Sequence, residues 1–161
     1  MTAHDTPARP AARALVIDAR QRVLLFLASL RGRSWWFAPG GAVERGETYQ
    51  KALVRELEEE TGLRVPLDTV GDPVWVRDYS FRWHAVMERH IEWFFVVRVD
   101  RHDVDVSRLP QDEAGVIREH RWWRVADMAP SGERFAPRRM PDLLEALVGG
   151  ARPASPVELS D

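Results

Sequence analysis

A chain of 161 residues, 45% hydrophobic and 30% charged, has the size and composition of one globular domain with a real core. Its net charge of −2 leaves no global basic field of the kind that marks a binder of polymeric nucleic acid. Cysteine is absent, which excludes disulfides and thiolate metal sites, and no apolar run reaches the roughly 18 residues of a membrane-spanning helix.

Residues 1–12 are rich in Pro, Ala and Arg, show no periodicity and lack the apolar segment of a secretory leader. They are expected to be a mobile tail ahead of a single cytoplasmic domain over residues 13–149. Arg13 to Ile17 and Val23 to Ser29 are apolar runs separated by a polar turn, and read as two strands. A basic loop with Arg31 and Arg33 follows, then a short strand, Trp35 to Ala38, stopped by Pro39-Gly40-Gly41.

Next comes a stretch without Gly or Pro, Tyr49 to Thr61, which the pattern predicts as a helix. Thr48 suits the N-cap, Glu47 adds negative charge at the positive end of the dipole, and Gly62 suits the residue just past the C-terminus. At 100° per residue Glu56, Glu59 and Glu60 fall within about a third of the circumference, with Leu53 and Leu57 on the adjoining arc. Like charges so placed repel by a few tenths of a kcal/mol per pair, so a cation resting on them would relieve a cost. Glu58 alone points to the outer face.

Beyond the helix, Arg64 to Val70 and Val74 to Trp83 read as extended, with Gly71-Asp72-Pro73 as the break. Ile91 to Val99 is the most apolar strand and is expected at the centre of a sheet. Arg101 to Ile117 is a polar loop, Glu119 to Val125 a further strand, Ala126 to Arg139 loop-like and Pro141 to Val148 a short amphipathic helix. Residues 150–161 are expected to be a second disordered tail. Strands on both sides of one long helix, with another helix at the end, predict an α/β fold with a mixed β-sheet.

The stretch from Gly41 to Leu63 resembles the signature of the Nudix hydrolases, G-x5-E-x7-R-E-U-x-E-E-x-G-U with U apolar. Gly41, Glu47, Arg55, Glu56, Leu57, Glu59, Glu60, Gly62 and Leu63 occupy every fixed position. At ordinary residue frequencies a chance match in such a chain is on the order of one in a million or rarer. The resemblance implies the family's α/β/α sandwich. It implies Mg2+, with Mn2+ as a substitute, held by Glu59 and Glu60 and often by the Gly40 carbonyl. Glu56 is then a further ligand or the base that activates water and Glu47 a supporting acid, while i,i+4 spacing by itself lets Arg55 pair with Glu59 and hold it in one rotamer. Some relatives place the base in a loop beyond the helix, for which Glu113 is a candidate, with Glu119 as an outlying ligand. The chemistry agrees, because a small hard dication takes oxygen ligands and bridges to phosphate.

Arg77, Tyr79 and Arg89 are candidates for gripping the substrate, the tyrosine by stacking on a base and the arginines by holding phosphate. Tyr79, Phe81 and Trp83 share one strand face with Arg77, while Arg82 lies on the other. The histidines have no H-E-x-x-H context, so a zinc site is not expected. The expected function is Mg2+-dependent hydrolysis of the diphosphate linkage in a small-molecule nucleotide: a nucleoside triphosphate, ADP-ribose, a dinucleoside polyphosphate or a nucleotide sugar. The alternative is a sensor of the same fold that binds nucleotide without turnover. A related isomerase of isoprenoid diphosphates relies on a cysteine, and this chain has none. Dimerisation is common in the family, and one sequence leaves it open.

Overall fold

The computed structural model describes residues 6–110 and 116–160. Among them the chain forms β1 (Ala8–Ile17), β2 (Arg22–Leu30), β3 (Arg33–Phe37), β4 (Gly40–Ala42), α1 (Tyr49–Thr61), β5 (Trp75–Trp83), β6 (Val86–Arg98) and β7 (Ile117–Arg124). A short α2 (Val125–Met128), β8 (Phe135–Ala136), α3 (Met140–Val148) and β9 (Val157–Leu159) complete it. The strands form one mixed sheet in the order β8-β3-β2-β1-β6-β5-β9, with β4 added on β1 and β7 on β2. No helix of the described residues is long and apolar enough to cross a membrane.

Strand alternation divides the core between two faces. Ala12, Ala14 and Val16 of β1 pack with Phe95 and Val97 of β6 against Ala52, Leu53 and Leu57 of α1. The other face of the same strands, Leu15, Ile17, Phe94 and Val96, packs against Leu144 and Leu147 of α3. Helices therefore cover both faces, as the α/β/α expectation requires. Ala12 and Ala14 are fully buried, and their small side chains let α1 approach β1 closely.

β1 and β2 share a single register pair, Ile17↔Val23, and then separate. β1 continues parallel to β6 for ten pairs, while β2 runs with β3 and β7. The gap that opens between the two sets becomes the cavity described below. β6 is central, bonded to β1 on one side and β5 on the other, as its apolar sequence predicts.

Both tail expectations are corrected. Residues 8–12 are the first half of β1: Ala8 pairs with Arg89, and Ala11 and Ala12 are buried. Alanine adds little to a hydropathy pattern, so a strand selected for small size leaves no apolar alternation to read. At the other end, β9 lies parallel to β5 over Trp75↔Val157 to Arg77↔Leu159, and Leu159 is buried. Three residues among prolines are too few to show a period of two. Residues 64–70 form a loop with a 3-10 turn at Leu67–Thr69 instead of a strand, and the 126–139 segment holds α2 and β8.

Candidate functional site

The geometry starts at α1. Its N-cap is Thr48, whose side chain accepts a bond from the Lys51 N–H at 3.1 Å. It ends at Gly62, with φ of 71° and its N–H donated to the Glu58 carbonyl. Between these caps Glu56 and Glu60 lie on the buried side, at 8% and 2% exposure, beside β4 and not out in solvent.

Two consecutive glycines explain how carboxylates come to lie there. The Gly40 N–H donates to Glu60 Oε2 at 2.8 Å. Gly40 has φ of +143°, and a Cβ on it would stand 2.0 Å from the Ala12 carbonyl oxygen, so only glycine lets the turn sit against β1. A Cβ on Gly41 would stand 2.6 Å from the Glu56 carboxylate carbon. The Glu56 carboxylate fills the space that any other residue at 41 would take.

Arg55 organises the remaining acids. Its Nε and NH2 donate to the two oxygens of Glu47 at 3.0 and 2.9 Å, NH1 donates to Glu56 at 2.9 Å, and NH2 also reaches the Ala42 carbonyl at 3.0 Å. Its approach to Glu59 is looser, at 3.6 Å. Arg55 therefore braces Glu47 and Glu56 first and Glu59 only weakly, because the loop before the helix brings Glu47 onto the guanidinium fork. That fork, helped by the Glu44 backbone N–H, holds the Glu47 carboxyl down at about 2, so it stays ionised. The Arg55 guanidinium is pushed up in turn, mainly by Glu47.

The fit to a hard dication rests on this donor set. It is entirely oxygen, two of its carboxylates are buried, and the Gly41 cradle keeps one of them in place. Among the described residues no three such groups already converge on one point, and Glu59 remains 44% exposed. The Gly40 carbonyl accepts a bond from Arg13 NH1 at 3.1 Å, and a carbonyl has a second lone pair.

A cavity of about 230 Å3 opens next to this turn where β1 and β2 part, with Arg13, Ala38, Trp35, Phe37, Tyr79 and Glu92 among its walls. Arg77 belongs to it as well. Its guanidinium lies 3.9 Å from the Tyr79 ring centroid and 3.4 Å from Glu92 Oε2. Glu92 is buried; burial works to raise its pKa, but Arg13 and Arg77 outweigh that and the net direction is down. Burial, with Glu92 adding to it, pushes the Tyr79 hydroxyl up to about 12. A larger cavity, about 650 Å3, is lined by Asp78, Arg89, Trp93 and Glu158. The smaller cavity is the one that adjoins the turn, through Ala38 and through Arg13, whose NH1 bonds the Gly40 carbonyl.

The structure thus gathers Gly40, Arg55, Glu56 and Glu60, with Glu59 at the margin and Arg77 and Tyr79 in the adjoining cavity. Arg89 is separate: it faces the other side of β6 from Glu92 and forms a two-pronged pair with Asp78 at 2.9 and 2.6 Å. Glu119 is exposed on β7 opposite Leu27. By alternation it shares a face with Trp123 of the α3-side core, away from Trp122, which packs on the α1 side. Glu113 lies outside the described residues. Sequence reasoning missed Arg13 and Glu92. The signal was there: each is a lone charge at an inward position of an apolar strand, ARALVI and IEWFFVV.

A family profile described as NUDIX domain matches residues 7–144. Among curated relatives, the chain is 42% identical over 50 residues to the uncharacterized Nudix hydrolase YvcI of Bacillus subtilis (31% of this chain, 30% of that one). It is 30% identical over 94 residues to the putative mutator protein MutT4 of Mycobacterium tuberculosis (57% and 38%). It is 34% identical over 86 residues to an 8-oxo-dGTP diphosphatase of Proteus vulgaris (52% and 70%). The alignments thus span about a third of the length of the first two relatives. Among solved structures, a MutT protein from Methanosarcina mazei Go1 superposes with a TM-score of 0.64 at 23% identity, over 88% of this chain and 93% of that one. The dihydroneopterin triphosphate pyrophosphohydrolase of E. coli also gives 0.64, at 17% identity, over 89% and 99%. With the profile covering most of its length and every fixed position of the motif filled, the chain belongs to the Nudix hydrolase family.

Proposed function

We propose that this chain hydrolyses the diphosphate linkage of a nucleoside diphosphate joined to a further moiety, with oxidised guanine nucleoside triphosphates first among the candidates. The observation that carries the reading is the pair of glycine contacts. The Gly40 N–H holds Glu60, and the missing Cβ of Gly41 makes room for Glu56, so two carboxylates are kept at a buried position against a turn. The choice of substrate is supported by the printed name of the Proteus vulgaris relative and by those of two Mycobacterium tuberculosis relatives called putative 8-oxo-dGTP diphosphatase 2.

Glu59 and Glu60 would hold a Mg2+ ion, with the Gly40 carbonyl beside them. When bound, such an ion neutralises the acidic cluster, polarises a phosphoryl oxygen and lowers the pKa of a bound water. Glu56 would serve as a further ligand or take the proton of the attacking water, with Glu113 as the second candidate for that proton. Arg55 keeps Glu56 in one rotamer through its 2.9 Å bond, while Glu47 anchors the other end of the fork. Water attacks a phosphorus, the bond from that phosphorus to the bridging oxygen breaks, and a nucleoside monophosphate leaves as one product. The cavity offers planar faces from Trp35, Phe37 and Tyr79 for the base, and Arg77 for a negative group at its rim.

The test is phosphate release across a nucleotide panel, with and without Mg2+, with the products identified. Glu60→Gln and Glu56→Gln should each lower kcat about 100-fold or more while far-UV circular dichroism stays unchanged. Glu58→Gln, whose side chain pairs with Arg64 and Arg108, serves as the control. Wild-type turnover in Glu60→Gln would overturn the proposal.

A further inference from the structure

One side chain joins the cavity to the glycine turn. Arg13 donates from Nε to Glu92 Oε1 at 2.9 Å and from NH1 to the carbonyls of Gly40 at 3.1 Å and Ala38 at 3.5 Å. The Ala14 N–H bonds the Pro39 carbonyl at 2.8 Å, so three successive carbonyls, 38 to 40, are tied to residues 13 and 14. Glu92 accepts from the Tyr79 hydroxyl and from Arg77, both at 3.4 Å. On the far side of the turn the Gly40 N–H holds Glu60 at 2.8 Å. A continuous series of bonds therefore runs from the cavity wall through Glu92 and Arg13 to the Gly40 peptide and then to a carboxylate of α1.

Stability alone gives little reason for this arrangement. Taking a guanidinium and a carboxylate out of water is costly, and a well-packed apolar pair of similar volume is often as stable or more so. What an apolar pair could not do is hold two acceptors at a fixed separation. The arginine fork does so, with Nε on one acceptor and NH1 on the other, whereas a lysine ammonium is a single point.

We infer that Arg13 is a positioning residue for the hydrolytic site: oriented by Glu92, its guanidinium fixes the Gly40 peptide and through it the Glu60 carboxylate. The inference rests on the functional reading above. It makes Glu92, a residue of the cavity, matter for the affinity of the carboxylate cluster for a cation. Supporting groups of this kind typically change metal affinity or activity 10–100-fold when altered.

The experiment uses the full chain and Mn2+ as the probe, titrated without nucleotide and read by electron paramagnetic resonance, alongside kcat and KM at saturating Mg2+. Arg13→Lys and Glu92→Gln are each expected to raise the Mn2+ dissociation constant about 10–100-fold and to lower kcat more than they change KM. Because single loss of a buried charge can unfold the chain, the double variant Arg13→Met with Glu92→Leu decides the matter. It should fold, with a melting temperature at or near wild type, and still bind Mn2+ as weakly as the single variants. A folded double variant with wild-type Mn2+ affinity and kcat would overturn the inference and leave only a structural ion pair. A wild-type protein that neither binds Mn2+ nor hydrolyses any nucleotide would instead overturn the functional reading itself.

Discussion

Gly40 and Gly41 are neighbours with different jobs, and alanine at each should fail in a different way. At 40 the added methyl meets the Ala12 carbonyl oxygen at 2.0 Å, and the backbone has φ of +143°, so neither partner can give way. Gly40→Ala is expected to cost about 3 kcal/mol or more, measured by denaturant unfolding. At 41 the methyl meets the Glu56 carboxylate at 2.6 Å, the far end of a flexible side chain. Gly41→Ala should therefore keep most of its stability and lose about 10–100-fold in kcat, because the carboxylate is displaced. Equal stability losses in the two variants would contradict the reading. The sequence placed both glycines in a turn before the helix. Which one faces backbone and which faces a carboxylate depends on β1, twenty-eight or so residues upstream, and no local pattern encodes that.

At the scale of the element, α1 was legible to the residue. The span Tyr49–Thr61, the Thr48 cap and the left-handed Gly62 all follow from rules that act within one turn of helix. Thr48→Ala should cost about 1 kcal/mol in thermal or chemical unfolding and leave the metal dependence of kcat unchanged, since its hydroxyl serves the Lys51 N–H in the first turn, away from the carboxylates. A collapse of activity in that variant would show that the first turn does more than start the helix. The expected brace was Arg55 on Glu59, from i,i+4 spacing alone. The structure instead turns the guanidinium chiefly to Glu47 and Glu56, because a loop that folds back over the helix offers better two-pronged geometry than the neighbouring turn. The first half of β1 and all of β9 were missed for the opposite reason: their residues are small or few, and only their partners make them strands.

On the scale of the whole molecule, the parting of β1 and β2 after Ile17↔Val23 creates the cavity, and β9 closes the outer edge of β5. Deleting residues 150–161 removes Leu159 from the core beside the fully buried Trp75. The truncated chain should lose about 2 kcal/mol or more in unfolding free energy, whereas removal of a true tail would cost nothing measurable. By itself the sequence determined the helix, its carboxylate face, the family and so the class of chemistry, because these depend on spacing within a few turns. The tertiary structure alone decided that Glu56 and Glu60 are buried against a glycine turn, that Arg89 pairs with Asp78, and that Arg13 meets Glu92. The last two are 79 positions apart in the chain, and the bond between them exists only because β1 and β6 run side by side.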